Sequence, residues 1–199
     1  MVWVLVGAGV VVVLLLVSLV VMYNGLVRAR HAYQNAYAQI DVQLSRRHDL
    51  IPNLVEVVKG YLKHEQNTLA AVVNARGAAI QARSAAVGLP GDPRAMAALA
   101  GAENALTGSL GQLFLVSENY PELKASQNMH QLSEELTSAE NRVAFARQAF
   151  NDAVMTYRNK RDTFPSNLVA GMFSFGDAAY LELDEPHKRA APQISLDNQ

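Results

Sequence analysis

Five histidines, eighteen acidic side chains and no cysteine are the raw material for chemistry in this 199-residue chain. His64-Glu65 opens like the zinc-protease motif HExxH, but the position that must supply the second histidine is Thr68. Di-metal carboxylate bundles place Glu-x-x-His on their helices. The residues three before His31, His48, His64 and His130 are Arg28, Ser45, Tyr61 and Gln127, so none qualifies. Asp184 and His187 have that spacing, in a polar tail. Gly101, Gly108 and Gly111 fall inside a helical pattern, not in a phosphate-binding loop; each costs about 1 kcal/mol there against alanine, which points to close helix contact. Ser and Thr residues have no nearby His and carboxylate in a recognisable triad order. The reading is therefore of no catalytic residues, no metal site and no cofactor. With 17 Lys and Arg against 18 Asp and Glu, the chain is also less basic than a nucleic-acid module.

What remains is charge in informative places. Arg30, Glu65, Arg76, Glu103, Glu140 and Arg147 fall on or beside apolar stripes. Of these, Glu65, Arg76, Glu140 and Arg147 are the candidate buried charge pairs, which would fix helix register, since a buried charge is tolerable only with a partner; the competing reading is a polar binding groove. Arg46, Arg47, His48 and Asp49 form a candidate partner surface, expected at the turn farthest from a membrane, or else a charged turn that only caps two helices. Arg28, Arg30, Arg158, Lys160 and Arg161 are candidate lipid-headgroup contacts. The last three also complement the negative end of a helix.

The membrane enters through the first element. Val2 to Met22 is an uncharged, valine-rich run, and as a helix it spans about 31 Å, close to the ~30 Å hydrocarbon core of a bilayer. A cleaved signal peptide would have a basic start and a shorter apolar core. Trp3 and Tyr23 stand where an aromatic belt would lie, and residues 1–23 are expected to be a transmembrane anchor. No Lys or Arg precedes the run, whereas Arg28 and Arg30 follow it, so the N-terminus is expected outside and the domain in the cytoplasm. The absence of cysteine fits a reducing compartment. Residues 24–48 carry +3, from four arginines against Asp41, and residues 177–199 carry −3. The basic part adjoins the membrane, where anionic headgroups attract it.

Residues 24–165 show helical spacing almost throughout. Leu26, Tyr33, Tyr37, Ile40 and Leu44 mark one stripe; Leu54, Val58, Tyr61, Leu69, Val72 and Ile80 a second. Leu99, Leu106, Leu110, Leu113 and Tyr120 mark a third, and Leu132, Leu136, Val143, Phe150, Val154, Tyr157 and Phe164 a fourth. Seams of this period suit an antiparallel up-and-down four-helix bundle, and no strand-like alternation interrupts them. Asp49 is a candidate cap for a second helix with Pro52 in its first turn. Because the phase runs unbroken across Pro52, a single kinked helix through residues 26–86 is the alternative; the four-helix reading is preferred. Gly88-Leu89-Pro90-Gly91 is a turn, after which Asp92 and Pro93 start the third helix. Tyr120-Pro121 and Phe164-Pro165 end the third and fourth. Residues 166–183 form an apolar strap that either lies against the bilayer or closes the bundle end. Residues 184–199 are expected to be a disordered tail.

These residues carry a resemblance. Tyr23-Asn24-Gly25-Leu26-Val27, the stretch IDVQLSRRHDLIPNLVEVVKGYLKHE from Ile40 to Glu65, SENYPELKAS from Ser117 to Ser126, Glu140-Asn141, Ala146-Arg147, and Phe164-Pro165 with Met172-Phe173 together resemble the LemA family. Phe150-Asn151 stands where that pattern has Tyr-Asn. The resemblance implies an N-terminal membrane helix with a short external N-terminus and an up-and-down four-helix bundle, and it supplies no reaction. The expected function is a membrane-anchored interaction or scaffold protein. Its expected partners are the lipid bilayer and another membrane-associated protein or itself, not nucleic acid. The alternatives are a self-assembling membrane-shaping protein, or a metal-dependent enzyme using a polar groove.

Overall fold

In the computed structural model residues 1–62 and 65–183 are described, so His64 and the expected disordered tail lie outside the described residues. Helix α1 runs without interruption over Val2–Lys59, 58 residues and roughly 87 Å. Its N-terminal part is long and apolar enough to cross a membrane, and none of that window is buried by the rest of the chain. The helix does not break at Asp49: Pro52 lies inside α1, and the turn to the next helix comes after Lys59. The expected cap at Asp49 is thus overturned, and so is a single helix reaching residue 86.

The reason is tertiary. Proline at position 52 has no N–H to give, which leaves the carbonyl of His48 without its helical partner. Arg76 of α2 (Gln66–Val87) supplies the missing donor, Nε to the His48 oxygen at 2.7 Å. Apolar residues on both sides of Pro52, namely Ile40, Leu44, Ile51, Leu54 and Val58, are all buried, so burial keeps the helix continuous through its own weak point. After Lys59 the amides of Tyr61 and Leu62 fold back onto the Val58 carbonyl.

The remaining helices are α3 (Pro93–Ser117), α4 (Pro121–Lys124), α5 (Gln127–Asp162) and α6 (Ser166–Met172), and the described residues contain no strand. Helix α3 starts as its sequence suggests: Asp92 accepts from the amides of Arg94 and Ala95 at 3.0 and 2.9 Å, with Pro93 in the first turn. Helices α1 and α5 run antiparallel, with Tyr33 against Tyr157 and Arg47 against Glu140. Helix α2 also runs antiparallel to α1, with Arg83 near Asp41 and Arg76 on His48. Tyr33, Tyr37, Phe150 and Tyr157 meet edge to face with centroids 5.1–6.3 Å apart, an arrangement aromatic rings favour.

Past α6 the chain turns at Ser174 and runs extended back along α5. The Tyr157 hydroxyl donates to the Gly176 carbonyl at 2.7 Å. Asn151 and Leu181 exchange two bonds of 3.0 and 3.2 Å, and Arg147 donates to the Leu183 carbonyl at 2.8 Å. Phe175, Ala178 and Leu181 are the side chains that this segment buries against the bundle. On its other side the Ala179 amide reaches the Gly91 carbonyl at 2.7 Å. Gly91 has φ of +83°, and a β-carbon there would come within 3.1 Å of Tyr33 and 3.2 Å of Ala178, so both conformation and space call for glycine.

Candidate functional site

The buried apolar residues fall into two clusters. One, next to the apolar run, contains Leu26 to Leu44 of α1, Met96 to Ala100 of α3 and Val143 to Tyr157 of α5. The other contains Ile51 to Leu62, Leu106 to Leu123 and Met129 to Leu136. Between them lies a layer of charge. Arg47, His48 and Glu103 are 3%, 2% and 1% exposed, which makes this layer part of the interior and not a surface.

Arg47 is its centre. Its Nη1 donates to Glu103 Oε2 at 2.7 Å; its Nη2 donates to Thr107 Oγ1 at 2.8 Å and to Glu140 Oε1 at 3.1 Å. One guanidinium from α1 thereby ties together α3 and α5. Its planar fork suits such divergent acceptors in a way a lysine ammonium does not. The second oxygen of Glu103 lies 2.8 Å from His48 Nε2; a carboxylate accepts, so Nε2 carries the proton in that contact. With Arg76 on the His48 carbonyl, α2 joins the same layer. Arg47 Nε and His48 Nδ1 are buried without a hydrogen-bond partner among the described residues. Both carboxylate oxygens of Glu103 are occupied, and the group is closed to any solute.

The seam spacing is the sequence signal that locates these charges. Ile40, Leu44, Arg47, Ile51, Leu54 and Val58 are spaced four, three, four, three and four, which places Arg47 in the core row. Glu103 between Leu99 and Leu106, and Glu140 between Leu136 and Val143, occupy equivalent places. A helix boundary beside Arg47 and His48 would expose both as a partner surface; burial overturns that expectation. Arg46 and Asp49 are exposed and line an open groove with Asp41 and Arg83, partway along α1 and not at the bundle end.

The other expected sites are redistributed. Glu140 does pair, with Arg47, its side chain 38% exposed. Arg76 serves a carbonyl and Arg147 holds Leu183, while Glu65 stands at the N-terminal boundary of α2 and makes no side-chain capping bond. Among the proposed headgroup contacts, Arg158 and Arg161 pair with Asp177 at 3.4 and 2.7 Å. Arg30 lies over the Phe175 ring, 5.2 Å from its centroid. Arg28 and Lys160 are exposed. Thr107 carries no spacing signal of its own, and the sequence marks Tyr157 as an apolar-stripe residue and Asn151 as part of the family pattern without showing that both hold the strap. Burial, with the nearby Asp41 carboxylate adding to it, pushes the Tyr37 phenol well above its ordinary value. Burial likewise raises those of Tyr33 and Tyr157. Among the described residues, no three His, Asp or Glu side chains cluster as a metal site.

A family model described as LemA family matches residues 36–196. "Magnetosome protein MamQ 2" of Paramagnetospirillum magneticum is 25% identical over 186 residues, covering 86% of this chain and 68% of the relative. "Magnetosome protein MamQ" of Magnetospirillum gryphiswaldense is 24% identical over 178 residues, covering 82% of this chain and 65% of the relative. "Protein LemA" of Metamycoplasma hominis is 26% identical over 162 residues, covering 81% and 69%.

Proposed function

This chain belongs to the LemA family, and from that premise we propose that it is a membrane-anchored docking scaffold, not an enzyme. Its bundle presents side surfaces to another membrane-associated protein or to a second copy. The observation that carries this reading is the unbroken helix Val2–Lys59. Anchor and bundle share one element, so the bundle stands at a fixed distance from the bilayer, as a docking platform requires. The charges on the seams support the same reading, since Arg47, Glu103 and Glu140 are spent on one another. Large apolar side chains remain exposed on the bundle faces, among them Val42, Val73, Leu115 and Phe145. The bundle lies on the cytoplasmic side, because Arg28 and Arg30 flank the apolar run on the side of the bundle.

Photo-crosslinking in native membranes, with the reactive group at Val42, Val73, Leu115 or Phe145 in turn, tests the scaffold. A discrete protein adduct at one or more positions is the expected result. Solvent-quenched product at all four, or stoichiometric tightly bound metal in the purified protein, would overturn it. Protease added to intact cells should spare the bundle; cleavage there would reverse the orientation.

A further inference from the structure

Helix α6 leaves a row of large apolar side chains uncovered. Leu168 and Met172, four residues apart on one face, are 62% and 69% exposed, and Phe164 and Phe173 beside them are 75% and 47% exposed. The opposite face, Val169 and Ala170, is buried against the bundle. Solvated helices do not normally present such a row to water.

Its position says what covers it. Phe173 packs edge to face on Tyr23, the residue that closes the apolar run of α1, with centroids 4.9 Å apart. Leu19 and Met22, still inside that run, pack against the core cluster that holds Val169 and Ala170. The bundle therefore meets α1 about one turn, roughly 5 Å, before the apolar run ends. Interfacial amphipathic helices sit about 5–10 Å into the headgroup and acyl boundary, the depth that corresponds to this level of α1. The exposed cations Arg28 and Lys160, on the elements that flank α6, lie on the side where headgroup phosphates would be.

We propose that α6 is a second, interfacial membrane contact: Phe164, Leu168, Met172 and Phe173 insert into the acyl boundary of the leaflet that α1 leaves, and fix the tilt of the bundle on its anchor. The proposal rests on the anchored reading given above.

The test uses the full chain in vesicles of phosphatidylcholine with a minority of phosphatidylglycerol. Trp3 is the single tryptophan, which allows Trp3→Phe to be combined with Leu168→Trp, Met172→Trp or, as a control on an exposed bundle face, Phe145→Trp. Phosphatidylcholines brominated near the top of the acyl chain or near its end report depth. Tryptophan at 168 or 172 should lose most of its emission to the shallow bromines and less to the deep ones, while tryptophan at 145 keeps its emission with both. Because both positions are exposed, either variant carries the test if the other loses helicity. Emission at 168 and 172 that is quenched by aqueous iodide but not by bromines overturns the proposal. So does emission protected from both quenchers together with covalent dimers on crosslinking, which would assign the row to a second copy. In the unmodified chain, Trp3 should be quenched by the bromolipids. If it is not, the anchored reading falls along with this proposal; if Trp3 is quenched while 168 and 172 stay bright, the interfacial contact alone is wrong.

Discussion

Replacing Glu103 by alanine removes the carboxylate that serves Arg47 with one oxygen and His48 with the other. Arg47, 3% exposed, then keeps Thr107 and the half-exposed Glu140, while the buried His48 Nε2 has lost its acceptor. Removing one partner of a buried ion pair costs about 3–5 kcal/mol, because the other charge is left in the interior. Removing both charges is different. In Arg47→Met with Glu103→Leu the remaining defects are His48 Nε2, worth roughly 1–3 kcal/mol unpaired, and Glu140, which can rehydrate. The double variant should therefore be about as stable as either single variant or more so, with a coupling at least as large as one single loss, about 3–5 kcal/mol. Urea unfolding of residues 23–199, followed by circular dichroism, measures all four corners of the cycle. A loss below about 1 kcal/mol for Glu103→Ala, the size of an ordinary exposed contact, would refute the buried layer, as would strictly additive losses.

Three further outcomes follow from the packing. Arg76→Ala should cost about 1–3 kcal/mol by orphaning the His48 carbonyl, and much of that should return in the Pro52→Ala background, where an amide at position 52 can take the carbonyl; equal losses in both backgrounds would sever the link between Arg76 and Pro52. Asp92→Ala should cost about 0.5–2 kcal/mol as the loss of a true cap, whereas Asp49→Ala, in an exposed helix interior, should stay within about 0.5 kcal/mol; the reverse order in thermal melts would restore a boundary at Asp49. Burial raises the phenols of Tyr33, Tyr37 and Tyr157 above the ordinary value of 10.0, so above that pH the unfolded chain releases protons that the folded chain keeps. Stability should then fall as pH climbs past about 10, with part of the phenolate absorbance appearing only on unfolding; a fully reversible titration of all tyrosines without loss of helicity would contradict the burial.

Much of the fold was legible because apolar period is a local signal. Leu26, Tyr33, Tyr37, Ile40 and Leu44 are all buried, as are Leu99, Leu106, Leu110 and Leu113. The turn before Asp92-Pro93 was legible for the same reason, since cap and first-turn proline act on neighbouring atoms. The error at Asp49–Pro52 came from applying that local rule where a distant residue overrides it: Arg76 repairs the very hydrogen bond whose loss argues for a break. A boundary there would turn Arg47 and His48 to the surface, whereas the four–three spacing puts Arg47 in the core row. Tyr61 and Phe164 continue their rows and yet are exposed, because each sits where its helix has ended and the row no longer faces a neighbour.

On the anchored reading proposed above, the uninterrupted α1 also makes the protein a lever. From Tyr23 to Lys59 the helix rises about 55 Å beyond the apolar run. A tilt of only ~10° at the bilayer swings its far end sideways by about 10 Å on that length. Tilt is how an apolar helix adjusts when the hydrocarbon layer thins or thickens. Local lipid thickness would then be read out as lateral travel of the turn after Lys59, magnified by arm length alone and needing no change within the bundle itself.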